Sequence, residues 1–239
     1  MSQEKEYETL LSRAFERSCN TVSLADRHSR FCAGDLDRIA RSTLIRSVEH
    51  YRELPSTNTA ALGSELCGEE LIPKLILTDR QTAGRGRGDH RWWSAKGAVT
   101  FSLVLVRETI GSNLTEGPSI ALTAGLAVCE ALQQLSPGLD SALKWPNDVY
   151  VRAQKICGIL VETNTRPECR VVVGFGINVN NSLADAPHTI RLNSISLIDV
   201  TRYPFPLADV VIAVLNQFDR LLDKMRNQPN ALQHMWETH

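Results

Sequence analysis

The chain has 239 residues, 43% of them hydrophobic, and a formal net charge of −1 from 26 basic and 27 acidic side chains. That apolar content argues against global disorder, and the length suits one large domain or two small ones. The balanced charge argues against a general nucleic-acid binder, and no apolar run reaches the roughly 18 residues of a transmembrane helix.

The N-terminus, Met1-Ser2-Gln3-Glu4-Lys5-Glu6, is polar and has no signal-peptide core. Six cysteines (Cys19, Cys32, Cys67, Cys129, Cys157 and Cys169) are scattered without a Cys-x-x-Cys pair. They fit reduced thiols better than a disulfide framework or zinc site, so a cytoplasmic protein is expected.

Residues 3–18 place Tyr7, Leu10, Leu11 and Phe15 on one face and predict a charged helix. Residues 19–43 read as irregular and polar, with no tight-turned helix pair, which disfavours a helix-turn-helix reader. His50–Leu54 reads as a short strand. It runs into Pro55-Ser56-Thr57-Asn58-Thr59 and an alanine-rich helix to about Leu66. Ser56 is a natural N-cap. The same turn presents hydroxyl and amide groups to a polar ligand at a helix N-terminus, and the two readings are compatible.

Lys74–Thr78 and Val99–Val106 read as strands. Between them lies Gln81-Thr82-Ala83-Gly84-Arg85-Gly86-Arg87-Gly88-Asp89-His90-Arg91-Trp92-Trp93. Glycines allow close backbone approach, and successive N–H groups form a concavity suited to anions. Arginine forks match carboxylate and phosphate oxygens, and an indole offers a flat apolar face. The run reads either as a loop closing over a phosphorylated, ring-bearing ligand or as a flexible basic segment touching nucleic acid. It is not a Walker loop, since no Gly-Lys-Ser/Thr follows. Gly88 also comes one residue early for the dinucleotide fingerprint.

Pro118–Leu135 has helical spacing, with Pro118 in the first turn. The corner Lys144-Trp145-Pro146-Asn147-Asp148 reads, by itself, as a turn. Arg152-Ala153-Gln154 reads as a hairpin connection and Lys155–Glu162 as the return strand. Read alone, Lys155 is a solvated turn lysine. Gly158 signals a bulge or the close approach of a ligand. Arg170–Val179 reads as a strand on which Gly174 and Gly176 leave one face bare, to admit a flat ligand or a neighbouring backbone. Residues 180–206 are loop-rich, with a short element at Ser196-Leu197. Leu207–Met225 is an amphipathic core helix.

These motifs occur in series: Ser-Thr-Asn, the Gly/Arg loop, Lys-Trp-Pro-Asn-Asp, Lys-x-x-Gly-Ile-Leu-Val-Glu and Gly-x-Gly-Ile-Asn-Val-Asn. Over residues 48–225 the chain resembles the catalytic domain of biotin protein ligases. The Gly/Arg loop paired with Lys-Trp-Pro-Asn-Asp is very specific to that family. The resemblance implies an α+β fold with a mixed β-sheet flanked by helices, related to class II aminoacyl-tRNA synthetases. It implies a catalytic domain over residues 47–239 after an N-terminal extension, residues 1–46. The N-terminal DNA-binding domain and the small C-terminal all-β domain of many relatives are expected to be absent.

The implied reaction has two steps. Biotin's carboxylate attacks the α-phosphate of ATP, giving biotinyl-5′-adenylate and pyrophosphate. A lysine of a biotin carboxyl carrier domain then attacks the mixed anhydride. ATP and biotin are substrates and Mg²⁺ is required; no metal-ligand set follows from the residues. The resemblance makes Lys155, Arg85 and Arg87 catalytic. It assigns biotin to Ser56, Thr57, Asn58, Gln81, Gly84, Arg85, Gly86, Arg87, Lys155, Gly158 and Gly174. It assigns ATP or the adenylate to Arg87, Trp92, Asn147, Asp148, Lys155 and Asn178. Trp92 would flank the adenine, Asn178 would read its edge, and Asn147 and Asp148 would sit near the phosphates and magnesium. The loop is expected to be ordered by ligand. Expected partners are the carrier domain of a biotin-dependent carboxylase, such as acetyl-CoA carboxylase, with no specific nucleic acid and no membrane. The chain is expected to be a monomer or homodimer. Cys157 is expected to be a small buried residue with some sensitivity to oxidation.

Two other readings remain. Lipoate or octanoyl transfer enzymes share the fold but carry a different Arg/Gly signature ending in His, without Lys-Trp-Pro-Asn-Asp. A non-catalytic binder of biotin or its adenylate is the reading from another class, and Arg85, Arg87 and Lys155 argue against it.

Overall fold

A computed structural model describes residues 30–63, 71–110, 117–164 and 170–227. In chain order the elements are α1 (Ala33–Ser42), β1 (Ser47–Tyr51), α2 (Thr57–Gly63), β2 (Lys74–Thr78), β3 (Val99–Val106), α3 (Arg107–Ile110) and α4 (Gly117–Leu135). There follow β4 (Ser141–Lys144), β5 (Asp148–Val151), β6 (Gln154–Asn164), β7 (Arg170–Ile177), α5 (His188–Asn193), α6 (Leu197–Thr201) and α7 (Leu207–Asn227). The strands make a 7-stranded sheet in the order β1-β2-β3-β7-β6-β5-β4. β1 and β2 pair in parallel and every other pair is antiparallel, so the sheet is mixed, as expected.

Side-chain alternation gives the sheet two unlike faces. One face is a continuous apolar layer that includes Leu75, Leu77, Phe101, Leu103, Leu105, Val173, Phe175 and Ile177. It packs with α4 and α7. Phe175 stacks on Phe101 at 4.7 Å between ring centroids and meets Phe218 of α7 edge-on at 6.0 Å. α4 is apolar nearly all round because it is enclosed between the sheet and α7. Its Gly125 admits Leu143, whose Cδ2 would lie 2.4 Å from a Cβ there. On the other face only a small cluster forms: Ile76, Val104 and Val172 with Ala61 of α2 and Ile72. The rest of that face is open.

Several expectations need correction. Helix α1 lies inside the segment read as irregular. It carries a capping box between Cys32 and Asp35, but it is short and Ile39 is its one fully buried residue, among charged side chains that mask the apolar positions. The first strand is Ser47–Tyr51, not His50–Leu54, because parallel pairing of Ser47–Tyr51 with Lys74–Thr78 sets its limits. Strand β4 was unforeseen, and α5 lies in the segment read as loop-rich, whereas α6 is the short element expected at Ser196-Leu197. A hairpin connection is found where expected but is shorter: Gln154 pairs with Val151 as the first residue of β6, leaving Arg152 and Ala153, whose left-handed φ of 51° and 63° suits a two-residue primed turn. The helix expected over residues 3–18 lies outside the described residues, as do residues 64–66 of the helix after Ser56.

Candidate active site

The open face is built from rows of register partners. One row crosses five strands: Thr78, Thr100, Gly176, Gly158 and Asp148. The next contains Ile76, Ser102, Gly174 and Leu160. Glycines in the middle of both rows leave a trough in the sheet surface. The chain's own side chains enter it. A Cβ on Gly176 would lie 2.4 Å from the Trp92 indole, and one on Gly174 would lie 2.1 Å from Asn58 Oδ1. A Cβ on Gly158 would lie 3.1 Å from Lys155 Cε and Nζ and 3.5 Å from Trp92. The bare strand face therefore takes an indole from the chain itself, rather than a neighbouring backbone.

Lys155 reaches this face because of a β-bulge. In a regular strand, Lys155 and Gly158 are three residues apart and would point to opposite sides. Here Val149 pairs with Cys157 but Tyr150 pairs with Lys155, so Ile156 is the extra residue. Ile156 and Cys157 are both fully buried, while Lys155 joins Tyr150, Asp148 and Gly158 on the open face. The bulged backbone keeps its partners: Ile195 N donates to Lys155 O (3.0 Å) and Asn178 N to Ile156 O (2.9 Å). Lys155 Nζ sits 2.6 Å from Asp148 Oδ1. That oxygen is buried and makes no aligned hydrogen bond, so the contact is an ion pair with acceptor capacity to spare.

The Gly/Arg run folds as a short hairpin flap. Trp92 N donates to Gly84 O (3.0 Å), Gly86 N to His90 O (2.8 Å) and His90 N to Arg87 O (3.3 Å). Gly88 takes φ +61° at the tip, which favours glycine. Arg85 turns inward and forms a bidentate pair with Glu162, Nη1 to Oε1 at 2.9 Å and Nη2 to Oε2 at 2.6 Å. Arg87 is exposed.

Beneath the flap lies a buried polar network. Gln81 Oε1 accepts from Thr57 N (2.7 Å) and Thr57 Oγ1 (3.2 Å). The Ser102 hydroxyl lies 2.7 Å from Thr57 Oγ1 and 2.5 Å from Asn58 Oδ1, its single proton serving one of them. Asn58 Nδ2 donates to Leu160 O (3.1 Å) and Glu162 Oε2 (2.8 Å). Ser56 caps α2, accepting from Thr59 N at 3.4 Å. Asn178 Oδ1 accepts from Asn181 Nδ2 at 3.1 Å, and Asn147 Nδ2 donates to Ile159 O at 2.7 Å.

These elements enclose a cavity of about 1030 Å³. Ser56, Thr57, Asn58, Gln81, Arg85, Gly86, Arg87, Trp92, Asn147, Asp148, Lys155, Gly158, Gly174 and Asn178 all line it. Gly84 does not. It borders a smaller recess behind the flap, where a Cβ would lie 2.5 Å from Trp92 O and 2.8 Å from Gln81 Nε2. Its part is to let the flap fold.

Sequence reasoning missed Thr100 and Tyr150 in the lining, and Ser102 and Glu162 behind it. Thr100 and Ser102 carried a signal: two polar residues at alternate positions of an otherwise apolar strand mark one polar face. Cys157 is fully buried on the face away from the cavity, and burial pushes its thiol far above the ordinary range. That burial removes the expected sensitivity to oxidation. Among the described residues no group of three or more His, Cys, Asp or Glu forms a metal cage, and no helix is long and apolar enough to cross a membrane.

The family profile described as the Biotin/lipoate A/B protein ligase family matches residues 51–178, more than half of the chain. The bifunctional ligase/repressor BirA of Bacillus subtilis is 30% identical over 168 residues, covering 69% of this chain and 51% of that protein. The biotin–[acetyl-CoA-carboxylase] ligase of Mycobacterium tuberculosis is 31% identical over 172 residues, covering 69% of this chain and 62% of that protein. The chain thus spans about half the length of such curated relatives. Among solved structures, biotin protein ligase from Aquifex aeolicus in complex with biotin and ATP superposes with a TM-score of 0.65 at 29% identity, covering 77% of this chain and 73% of that one. The glycine trough, the Lys155 bulge and the flap all lie within the matched residues, and the chain belongs to the biotin/lipoate A/B protein ligase family.

Proposed function

We propose that this chain is an ATP-dependent biotin protein ligase of the cytoplasm. It joins biotin to ATP as biotinyl-5′-adenylate and then passes biotin to a lysine of a biotin carboxyl carrier domain. One observation carries the reading. Lys155 and Trp92 lie side by side over the glycine trough beneath an arginine flap, so a single cavity offers cationic charge next to a flat apolar slot.

Biotin's carboxylate and ATP are both anionic, so bringing them together needs fixed positive charge. Lys155, held by Asp148 and set by the bulge, meets the carboxylate and the α-phosphate. Arg85 and Arg87 cover them from the flap. Charge-assisted hydrogen bonds of this kind are worth about 1.5–3 kcal/mol each. As the carboxylate oxygen bonds to the α-phosphorus, the bond to the pyrophosphate oxygen breaks, and these donors hold the charge that develops. In the second step the carrier's amine attacks the carbonyl carbon and AMP leaves.

Ser56, Thr57, Asn58 and Gln81 form the polar end suited to a ureido ring, which has two donors and one acceptor. Gly158 and Gly174 give their space to Lys155, Trp92 and Asn58, and the bicycle and tail would lie alongside those side chains. Trp92, expected beside the adenine, lies against Gly158 and Gly176 in the trough, and it would turn out of the trough to flank the adenine. Asn178 stays assigned to the purine edge. Asp148 Oδ1 already faces the Lys155 ammonium at 2.6 Å, so Mg²⁺ would be held mainly by phosphate oxygens, with Asn147 and Asp148 beside them. Bound Mg²⁺ would neutralise phosphate charge.

The test is biotin-dependent conversion of [α-³²P]ATP to biotinyl-adenylate, followed by a chase with a carrier domain. Adenylate and labelled carrier are expected. Adenylate formed with lipoate but not with biotin would overturn the substrate assignment, and binding of biotin without adenylate would overturn the activity.

A further inference from the structure

Glu162 ends the Lys-x-x-Gly-Ile-Leu-Val-Glu run, yet none of the roles above uses it. Its carboxylate is the one point where three parts of the site meet. Both oxygens hold the Arg85 fork from the flap, and Oε2 also accepts from Asn58 Nδ2 at the start of α2. Asn58 continues through Ser102 and Thr57 to Gln81, at the base of the flap. The first arm of the flap is therefore tied twice to one hydrogen-bonded chain: at Gln81 through neutral side chains, and at Arg85, nearer the tip, through a charge pair. The Arg85 and Glu162 side chains are 40% and 24% exposed, so the charge pair is the end more open to solvent.

We propose that Glu162 is a positioning residue that latches the flap over the cavity, acting through Arg85. It rests on the ligase reading only for what the flap retains. The pair sets where Arg85 stands before any anion arrives and keeps the flap down while the mixed anhydride waits for its acceptor. Glu162 also decides the orientation of Asn58, because a carboxylate only accepts and so turns Nδ2 toward itself. Neutral glutamine at this position offers one acceptor in place of two and cannot complete the fork.

The experiment compares the protein with its Glu162→Gln and Arg85→Ala variants, which break the pair from opposite sides. Trypsin cleavage after Arg87 and Arg91, followed by mass spectrometry, reads flap opening without reference to catalysis. Both variants should be cut about tenfold faster there, the effect of losing roughly one charged hydrogen bond, with cleavage elsewhere unchanged. Adding Glu162→Gln to Arg85→Ala should change little further, because the two act as one contact. In ligase assays, Glu162→Gln should release and hydrolyse adenylate faster while single-turnover adenylation stays within a few-fold. Wild-type cleavage rates in Glu162→Gln, or fully additive effects, would overturn the latch. Failure of the unaltered protein to form adenylate would instead refute the ligase reading, and the cleavage comparison would still decide the latch.

Discussion

At the scale of single residues, the site depends as much on missing atoms as on present ones. Gly174 faces Asn58 so closely that a methyl group would lie 2.1 Å from its Oδ1. Asn58 is held by Ser102, Leu160 and Glu162, so it cannot give way without breaking the network. Gly174→Ala is therefore expected to weaken binding of the proposed ligand, biotin, by at least about tenfold while the fold survives, as titration calorimetry and circular dichroism would show. The cysteines give a second expectation. Burial raises the Cys129 thiol to about 11, and Cys157 is more deeply buried still, whereas Cys32 is exposed. A neutral thiol is a poor nucleophile, so below about pH 9 iodoacetamide should label Cys32 and spare Cys129 and Cys157 until the chain unfolds. Mass spectrometry of the labelled protein at pH 7 and 9 checks this.

At the scale of elements, the β5–β6 hairpin carries Asp148, Lys155 and Gly158 and also a defect. Ala153 holds a left-handed φ of 63°, which costs a non-glycine residue roughly 1 kcal/mol. Ala153→Gly, with Arg152→Asn, installs the turn residues that geometry prefers. It should stabilise the protein by roughly 0.5–1 kcal/mol, seen as a higher denaturation midpoint. The flap and the Lys-x-x-Gly strand could be read in the sequence because their residues are close along the chain and chemically unusual. The three-residue spacing of Lys155 and Gly158 was visible, but its meaning came only with the bulge. Strand β4 was hidden because Ser141–Lys144 is four residues long and borrows its order from β5. Helix α1 was hidden because Ile39 alone fully anchors it. The partner of Arg85 lies 77 residues away, and no local pattern announces a contact at that distance.

At the scale of the molecule, one face of the sheet supplies stability and the other supplies the site. The Phe101–Phe175–Phe218 cluster joins β3, β7 and α7 directly behind the glycine trough. Phe175→Ala should cost about 3–5 kcal/mol, measured by chemical denaturation. Where the variant is still folded, ligand binding should survive, because Phe175 presents its side chain to the helices. The general fold was legible through the family resemblance that the order of motifs carries, but the strand order was not, since pairing between β3 and β7 joins segments some seventy residues apart.

The row Thr78, Thr100, Gly176, Gly158 and Asp148 comes from five strands joined by four separate pairings. A slip of one residue in any of them would turn that strand's contribution toward the helices, leaving side chains where Asn58 and Trp92 need bare backbone. Partial registry thus yields no partial site. In a refolded preparation, the fraction of molecules that bind ligand counts the fraction whose sheet is in register, so titration of binding sites serves as an assay of folding fidelity.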